Sequence, residues 1–290
     1  MIFPELQKQA RLRLLKMHFE AKVGHIGGNL SSLDAILYLH HNIMQKEDHF
    51  ILSKGHAAGA LYIALWSVGK ISDEQLLTFH KDQTKLAGHP VPNWIAEIPF
   101  ATGSLGHGLG LACGMSLGNK LQKKEGRIFC LMSDGEWQEG SNFEALVFLN
   151  HQQLKNVTVI IDCNGLQGFG TTEEIASLNL KKLHEIFAVF NFESPLSLRD
   201  TETRHESRPA LRGSPPRISM GNTGFEITEI NGHEEADLKK LSRASNRPQI
   251  FLMKTIKGHG ISFMKNQMQW HYLPLNDELY NKAKKEIENL

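Results

Sequence analysis

Arg127-Ile128-Phe129-Cys130-Leu131-Met132, running into Ser133-Asp134-Gly135-Glu136, is the stretch that decides the fold. The apolar run has strand length, and an Asp-Gly pair follows it almost at once. A helical pattern comes next over Gln138 to Gln153, with Phe143, Leu146, Val147 and Leu149 at roughly helical spacing. Val157 to Ile161 reads as a second strand, and Asn164 lies just past its end. This order places Asp134 and Asn164 at the carboxyl ends of neighbouring parallel strands, where open α/β sheets bind ligands. Each offers one oxygen to a hard divalent cation, and Gly135 lets a diphosphate approach the backbone. Mg²⁺ is commonly shared in this way between a protein carboxylate and a phosphate. Ser-Asp-Gly by itself marks a turn in most proteins; Asn164 at the next strand end is what points to metal and diphosphate.

Towards the amino terminus, helical spacing covers Glu5 to Lys22, and Ser31 or Ser32 is placed to cap a helix through Leu33, Ile36, Leu37 and Leu39. Ala57 to Val68 predicts a third helix, and Ser72 opens another with acidic residues in its first turn. Phe225 to Ile230 and Gln249 to Thr255 read as further strands, with the polarity of a surface helix over Glu234 to Arg243 between them. Alternating strands and helices imply an α/β fold with a mostly parallel sheet flanked by helices on both faces. No internal repeat is visible. One segment breaks the order: residues 193–224 are rich in Ser, Pro and Arg and poor in large apolar side chains. Such a stretch lacks the apolar surface that offsets ordering entropy, which predicts a loosely packed insertion in a single 1–290 domain. Its acidic residues nearly cancel its arginines, which argues against a basic arm for an anionic partner.

Bulk properties narrow the function classes. A chain of 290 residues with 41% hydrophobic and 22% charged content has the make-up of a soluble globular protein with a sizeable core. The formal charge of +1 gives no basis for a nucleic-acid or anionic-membrane partner. Cys113, Cys130 and Cys163 have no metal-type spacing and read as thiols of a reducing compartment. Neither a secretory signal nor a membrane-length apolar run is present, so the cytoplasm is expected. The fifteen histidines are more distinctive. Gly24-His25, Gly55-His56, Gly88-His89 and Gly106-His107 repeat one pairing, and a site lined with imidazoles is expected from it. Gly103-Ser104-Leu105-Gly106-His107-Gly108 is a loop that directly precedes a helix, a setting that suits an anion. It fits neither the P-loop nor the dinucleotide fingerprint.

Six stretches together resemble the transketolases, in their amino-terminal, diphosphate-binding half. They are Gly24-His25-Ile26-Gly27-Gly28, Leu52-Ser53-Lys54-Gly55-His56-Ala57, Gly88-His89-Pro90, Gly103-Ser104-Leu105-Gly106, Asp134-Gly135 with Asn164, and Trp270-His271. The resemblance implies a thiamine diphosphate-binding fold and thiamine diphosphate with Mg²⁺ or Ca²⁺ as cofactors. By similarity, Asp134 and Asn164 are side-chain metal ligands and Leu166 supplies a carbonyl. His56, Gly103, Ser104, Leu105, Gly135, Asn164 and His271 match cofactor-contacting positions, and Gly106 and Glu136 fall in the same two stretches and are counted with them. His25, His89 and His271 match positions facing the sugar, where imidazoles can exchange protons near neutral pH.

The family reaction moves a two-carbon ketol unit from a ketose to an aldose, with the cofactor as electron sink. The carboxylate that activates the pyrimidine comes from the other half of the family's machinery. Because this chain stops at Leu290, the resemblance implies the amino-terminal subunit of a split transketolase. It further implies a carboxy-terminal partner subunit, sugar or sugar-phosphate substrates, and self-association into a heterotetramer. Glu139 matches an interface position. Three departures stand out: Ser133 and Tyr272 occupy places where glycine is commoner, and the 193–224 segment has no counterpart. Two other functions compete, the α subunit of a 2-oxo acid dehydrogenase and a non-catalytic cofactor-fold subunit. The Ser53-to-His56 and Trp270-His271 matches favour transketolase over the first, and the presence of all the expected metal and histidine positions favours it over the second.

Overall fold

The structure is a computed structural model that describes residues 2–92, 94–189 and 224–290. In chain order the first half runs α1 (Phe3–Ala21), α2 (Ile26–Tyr38), β1 (His49–Leu52), α3 (Ala58–Ser67), α4 (Asp73–Leu76), α5 (Gly108–Leu121) and β2 (Ile128–Ser133). The second half runs α6 (Gly140–Gln152), β3 (Val157–Cys163), α7 (Thr172–Ala176), α8 (Leu180–Val189), β4 (Glu226–Asn231), α9 (Glu235–Leu238), β5 (Gln249–Lys254) and α10 (Asp277–Glu288). The five strands form one sheet in the order β1-β2-β3-β5-β4, and every pair is parallel.

β2 and β3 lie at the middle of this sheet and are buried along almost their whole length. Their near-continuous apolar sequences follow from that, because a parallel sheet covered on both faces leaves no wet side to alternate with. Side-chain alternation divides the core in two. Phe129, Leu131, Ile160 and Phe251 pack with α1, α2, α3 and α10 on one face. Ile128, Cys130, Met132, Val159 and Ile161 pack with α5, α6 and α8 on the other. The expected α/β architecture, with helices on both faces, is what the chain adopts.

Several boundaries differ from expectation, each for a physical reason. α2 opens at Ile26, five residues before Ser31. Ser31 and Ser32 are therefore buried inside the helix, where each hydroxyl donates to the Gly28 carbonyl and to Asp162 instead of capping an end. The Glu234–Arg243 stretch breaks into the single turn of α9 and a 3₁₀ turn over Lys239–Ser242, since it has only Leu238 and Leu241 to bury. β1 is four residues long and leaves too little pattern to be read. The anticipated insertion at 193–224 lies outside the described residues except for Gly224. Among the described residues no helix is long and apolar enough to cross a membrane.

Candidate active site

The register of the central strands sets the geometry. Ser133, the last residue of β2, pairs with Asp162 of β3. Asp134 and Asn164 thus emerge from adjacent strand tips, both at the carboxyl edge of the sheet. Asp134 is almost fully buried, and its two carboxylate oxygens accept the N–H groups of Gly135 (2.8 Å) and Gly165 (2.6 Å). Asn164 Oδ1 accepts the N–H of Leu166 at 3.0 Å, and Gly165 turns the chain with φ +73°. Burial, together with the neighbouring charge of Asp162, raises the Asp134 carboxyl to about 6. The Asp134 carboxylate and the Asn164 amide, with Leu166 in the same cleft wall as Asn164, offer oxygen donors of the kind that suit Mg²⁺ or Ca²⁺ and not a softer ion. A cation there would relieve the charge crowding that holds Asp134 up.

Ser133 has ordinary strand backbone, so replacement of a glycine there carries no conformational cost. Beside the strand tips is a cleft of about 450 Å³, lined by His56, Leu105, Gly135, Asn164, Leu166 and His271 among the expected residues. Glu139 also reaches it. Gly103 lies behind this wall with φ +139°, where a Cβ would fall 2.9 Å from the His89 ring. Gly55 presses on the same loop, its own Cβ site 2.7 Å from the Gly103 nitrogen, so the loops after β1 and before α5 can close together only as glycines. Ser104 is exposed and Gly106 is buried.

Glu136 corrects one expectation. It is fully buried and does not line the cleft. Its carboxylate accepts the Ser53 hydroxyl and the N–H groups of Gly106 (2.9 Å) and Ser133 (3.2 Å). Ser53 in turn accepts the Gly108 N–H at 3.1 Å. With its oxygens committed to the protein, Glu136 is the peg that fixes the glycine-rich loop against β2, and not a ligand contact.

Four imidazoles gather beside the cleft: His56 and His271 line it, whereas His25 and His89 are not part of its lining but pack next to these rings. Ring centroids of His25 and His271 are 4.9 Å apart, His25 and His56 5.6 Å, His56 and His271 5.5 Å, and His25 and His89 6.4 Å. His107, the fourth member of the Gly-His series, stays exposed and outside this group. Burial is the main cause that lowers the pKa of all four rings, and neighbouring charge adds to it, from Lys54 at His56, Lys257 at His271, His89 at His25 and His80 at His89; His271 falls to about 3. They are neutral at physiological pH and can both donate and accept. His25 holds a left-handed backbone (φ +64°) at the start of α2, and its N–H donates to the His271 carbonyl at 3.0 Å.

Two lysines in the cleft wall were not assigned roles from the sequence. Lys257 is buried, its Nζ 3.1 Å from His271 Nδ1, and burial followed by the charge of Lys54 lowers it to about 8. An ammonium there donates to Nδ1 and keeps the imidazole proton on Nε2. Lys54 is buried against Asp162 at 2.5 Å. Asp162 also accepts Ser31 (2.6 Å), Ser32 (3.0 Å) and Thr255, so one carboxylate ties together α2, β3 and the end of β5. A signal for both lysines was available: Lys-Gly-His occurs twice, at 54–56 and 257–259, each time just past a strand.

A second ionisable group, Asp34, His233 and His259, has ligand atoms within 4.8 Å of one another. Arg11 already grips Asp34 through two contacts (2.6 and 2.7 Å). His233 donates Nδ1–H to Asp34 at 2.9 Å and accepts the Ile256 N–H on Nε2. His259 stacks on His233 at 3.6 Å. The three cysteines are free thiols; burial pushes Cys113 up to about 12 and raises the other two well above the usual thiol range.

Comparison with known proteins identifies the family. The family described as "Transketolase, thiamine diphosphate binding domain" matches residues 7–189. The chain is 34% identical to an apulose-4-phosphate transketolase subunit of Phocaeicola vulgatus, over 98% of this chain and 93% of that one. It is 29% identical to a 6-deoxy-6-sulfo-D-fructose transketolase subunit of a Clostridium species, covering 98% and 96%. Human transketolase is 32% identical over 83% of this chain but only 33% of its own length. Among solved structures, transketolase from Campylobacter jejuni superposes with a TM-score of 0.74 at 26% identity, over 99% of this chain and 43% of that one. The chain thus spans nearly all of the subunit relatives and well under half of the single-chain enzymes. It belongs to the transketolase family.

Proposed function

We propose that this chain is the amino-terminal, cofactor-binding subunit of a two-chain transketolase that transfers a two-carbon ketol unit from a ketose to an aldose. The observation that carries the proposal is the pairing of Asp134 and Asn164 on adjacent strand tips beside a cleft lined by His56 and His271, with His25 next to both rings and His89 next to His25. Thiamine diphosphate, when bound, supplies the electron sink for carbon–carbon cleavage. Asp134, Asn164 and the Leu166 carbonyl would hold Mg²⁺ or Ca²⁺. His56, Gly103, Ser104, Leu105, Gly106, Gly135 and His271 would hold the cofactor, and Lys54 and Lys257 would offset its diphosphate charge. Glu136 acts one step back, by fixing the loop that carries Gly106.

His25, His89 and His271 face the sugar. As neutral rings they can take a proton from a substrate hydroxyl and return it, which is the work asked of a general acid–base pair. A donor fixed by the buried Lys257 ammonium keeps His271 in one tautomer. The carboxylate needed at the pyrimidine ring comes from a carboxy-terminal partner subunit, and the two chains work together in the cytoplasm. Relatives of the same length that are named as subunits support this division.

Co-expression with a carboxy-terminal subunit encoded nearby provides the test. The purified complex is expected to bind thiamine diphosphate in the presence of Mg²⁺ and to transfer a ketol unit between sugars, whereas this chain alone does not. Full activity from this chain alone would overturn the two-chain proposal. Decarboxylation of 2-oxo acids in place of ketol transfer would overturn the reaction.

A further inference from the structure

We infer that Tyr272, with Gly168 opposite it, determines which sugars reach the imidazole end of the cleft; the inference rests on the ketol-transfer function proposed above. The Tyr272 ring lies edge-on to His271, 4.7 Å between centroids, and tilted to His25 at 6.4 Å. Both imidazoles are among those expected to face the sugar, so this ring borders the place where the substrate must sit. Its other end reaches across to the loop after β3. A Cβ on Gly168 would stand 2.3 Å from the Tyr272 hydroxyl oxygen, so only glycine admits the ring in this position. Phe169 continues the aromatic rim at 6.5 Å. The ring therefore spans the mouth from one wall to the other.

The main chain beneath the ring cannot move aside. The Tyr272 carbonyl abuts Gly24, where a Cβ would fall 2.4 Å away, and the adjacent His271 carbonyl accepts the His25 N–H. Ring and backbone contrast in this respect. Tyr272 is 50% exposed, and among the described residues its hydroxyl makes no hydrogen bond, so the ring contributes little to the fold. What it does contribute is a flat, uncharged wall. The transferred carbons of a ketose lie against the imidazoles, and the remainder of the sugar must pass this wall. Neighbouring Gln167, Phe169 and Ile175 carry no charge, so discrimination here is by length and shape.

The test uses the complex with its partner subunit, thiamine diphosphate and Mg²⁺. Five-, six- and seven-carbon ketose phosphates serve as donors to one common aldose. Tyr272→Ala is expected to raise kcat/KM for the longest donor relative to the shortest by roughly tenfold, the scale on which pocket walls discriminate neighbouring substrates. The change should lie in KM, with cofactor affinity unaltered. Gly168→Ala crowds the hydroxyl and should change the same ratio, and adding Tyr272→Phe, which removes the crowded atom, should bring the ratio back to that of Tyr272→Phe alone. This second pair keeps the test decisive if Tyr272→Ala does not fold. An equal effect of Tyr272→Ala on every donor, or a Gly168→Ala ratio equal to wild type, would overturn the inference while leaving the function intact. A wild-type complex that binds cofactor yet transfers no ketol unit from any donor would overturn the function, and this inference with it.

Discussion

Two buried aspartates make an instructive pair. Asp34, with His233 and His259 close by, has the residue types of a metal site, while the Asp134 carboxylate accepts hydrogen bonds from peptide groups alone. Yet Asp34 faces the full charge of Arg11 at 2.6 Å, which a divalent ion would have to displace. His233 has both ring nitrogens engaged. Asp134 meets only peptide N–H groups, and its neighbour Asp162 raises its pKa rather than lowering it. Unspent charge, and not the choice of side chains, is therefore what favours Asp134 over Asp34 as the proposed cation ligand. Arg11 holds Asp34 below the usual carboxylate range; nothing comparable satisfies Asp134.

Substitutions put the two acids to opposite tests. Asp34→Ala leaves Arg11 buried without its partner and should cost about 3–5 kcal/mol of unfolding free energy, read by urea denaturation. Cofactor affinity of the folded fraction should not change; a metal-dependent loss of affinity would mean that the two aspartates had been assigned the wrong way round. Asp134→Ala should do the reverse. With one acid removed from beside Asp162 the fold survives, but thiamine diphosphate affinity at saturating Mg²⁺ should fall by at least about 100-fold, the upper range for loss of a metal ligand's partners.

Glu136→Gln probes the ground between structure and site. An amide offers one acceptor oxygen where three donors now converge, and its NH₂ must oppose the N–H of Gly106 or Ser133. A loss of about 1–3 kcal/mol in stability is expected, with weaker cofactor binding because the loop it pegs is released. Unchanged cofactor affinity in calorimetry would show that the loop holds its place without it.

Lys257 gives the smallest effect and the most specific signature. Burial holds it at about 8, below the ordinary 10.5, so the cofactor-free protein loses this charge as pH rises through 8. A bound diphosphate favours the ammonium and raises its pKa again. Binding therefore takes up a proton above that pH, and affinity should decline by up to about tenfold per pH unit there. Lys257→Met should lose about tenfold at pH 7 and, more tellingly, flatten that slope; a slope that persists in the variant would assign it to another group.

Much of this site could be read from the residues alone because strand tips announce themselves. Apolar runs ending at Asp134 and Asn164 carry both the sheet and the metal corner in a single local pattern. Glycines beside histidines gave away three of the four gathered rings, and Trp270-His271 the last. What escaped was information held across the fold. Asp162 looks like the polar end of an apolar run until Lys54 and two helix serines are seen to converge on it. Glu136 has a cofactor-contact position in sequence, and only its three donors show that it points inward. β1 and the short α9 bury too few side chains to leave a period.

The left-handed backbone of His25 matters to anyone improving this protein. A non-glycine residue at φ +64° sits roughly 1–2 kcal/mol above what glycine would need there. His25→Gly should accordingly raise the melting temperature while it abolishes transfer, a pair of outcomes that thermal denaturation and a sugar assay can separate. Any redesign guided by heat resistance alone would discard this imidazole among its first choices, and would trade a ring proposed to face the sugar for a sturdier chain.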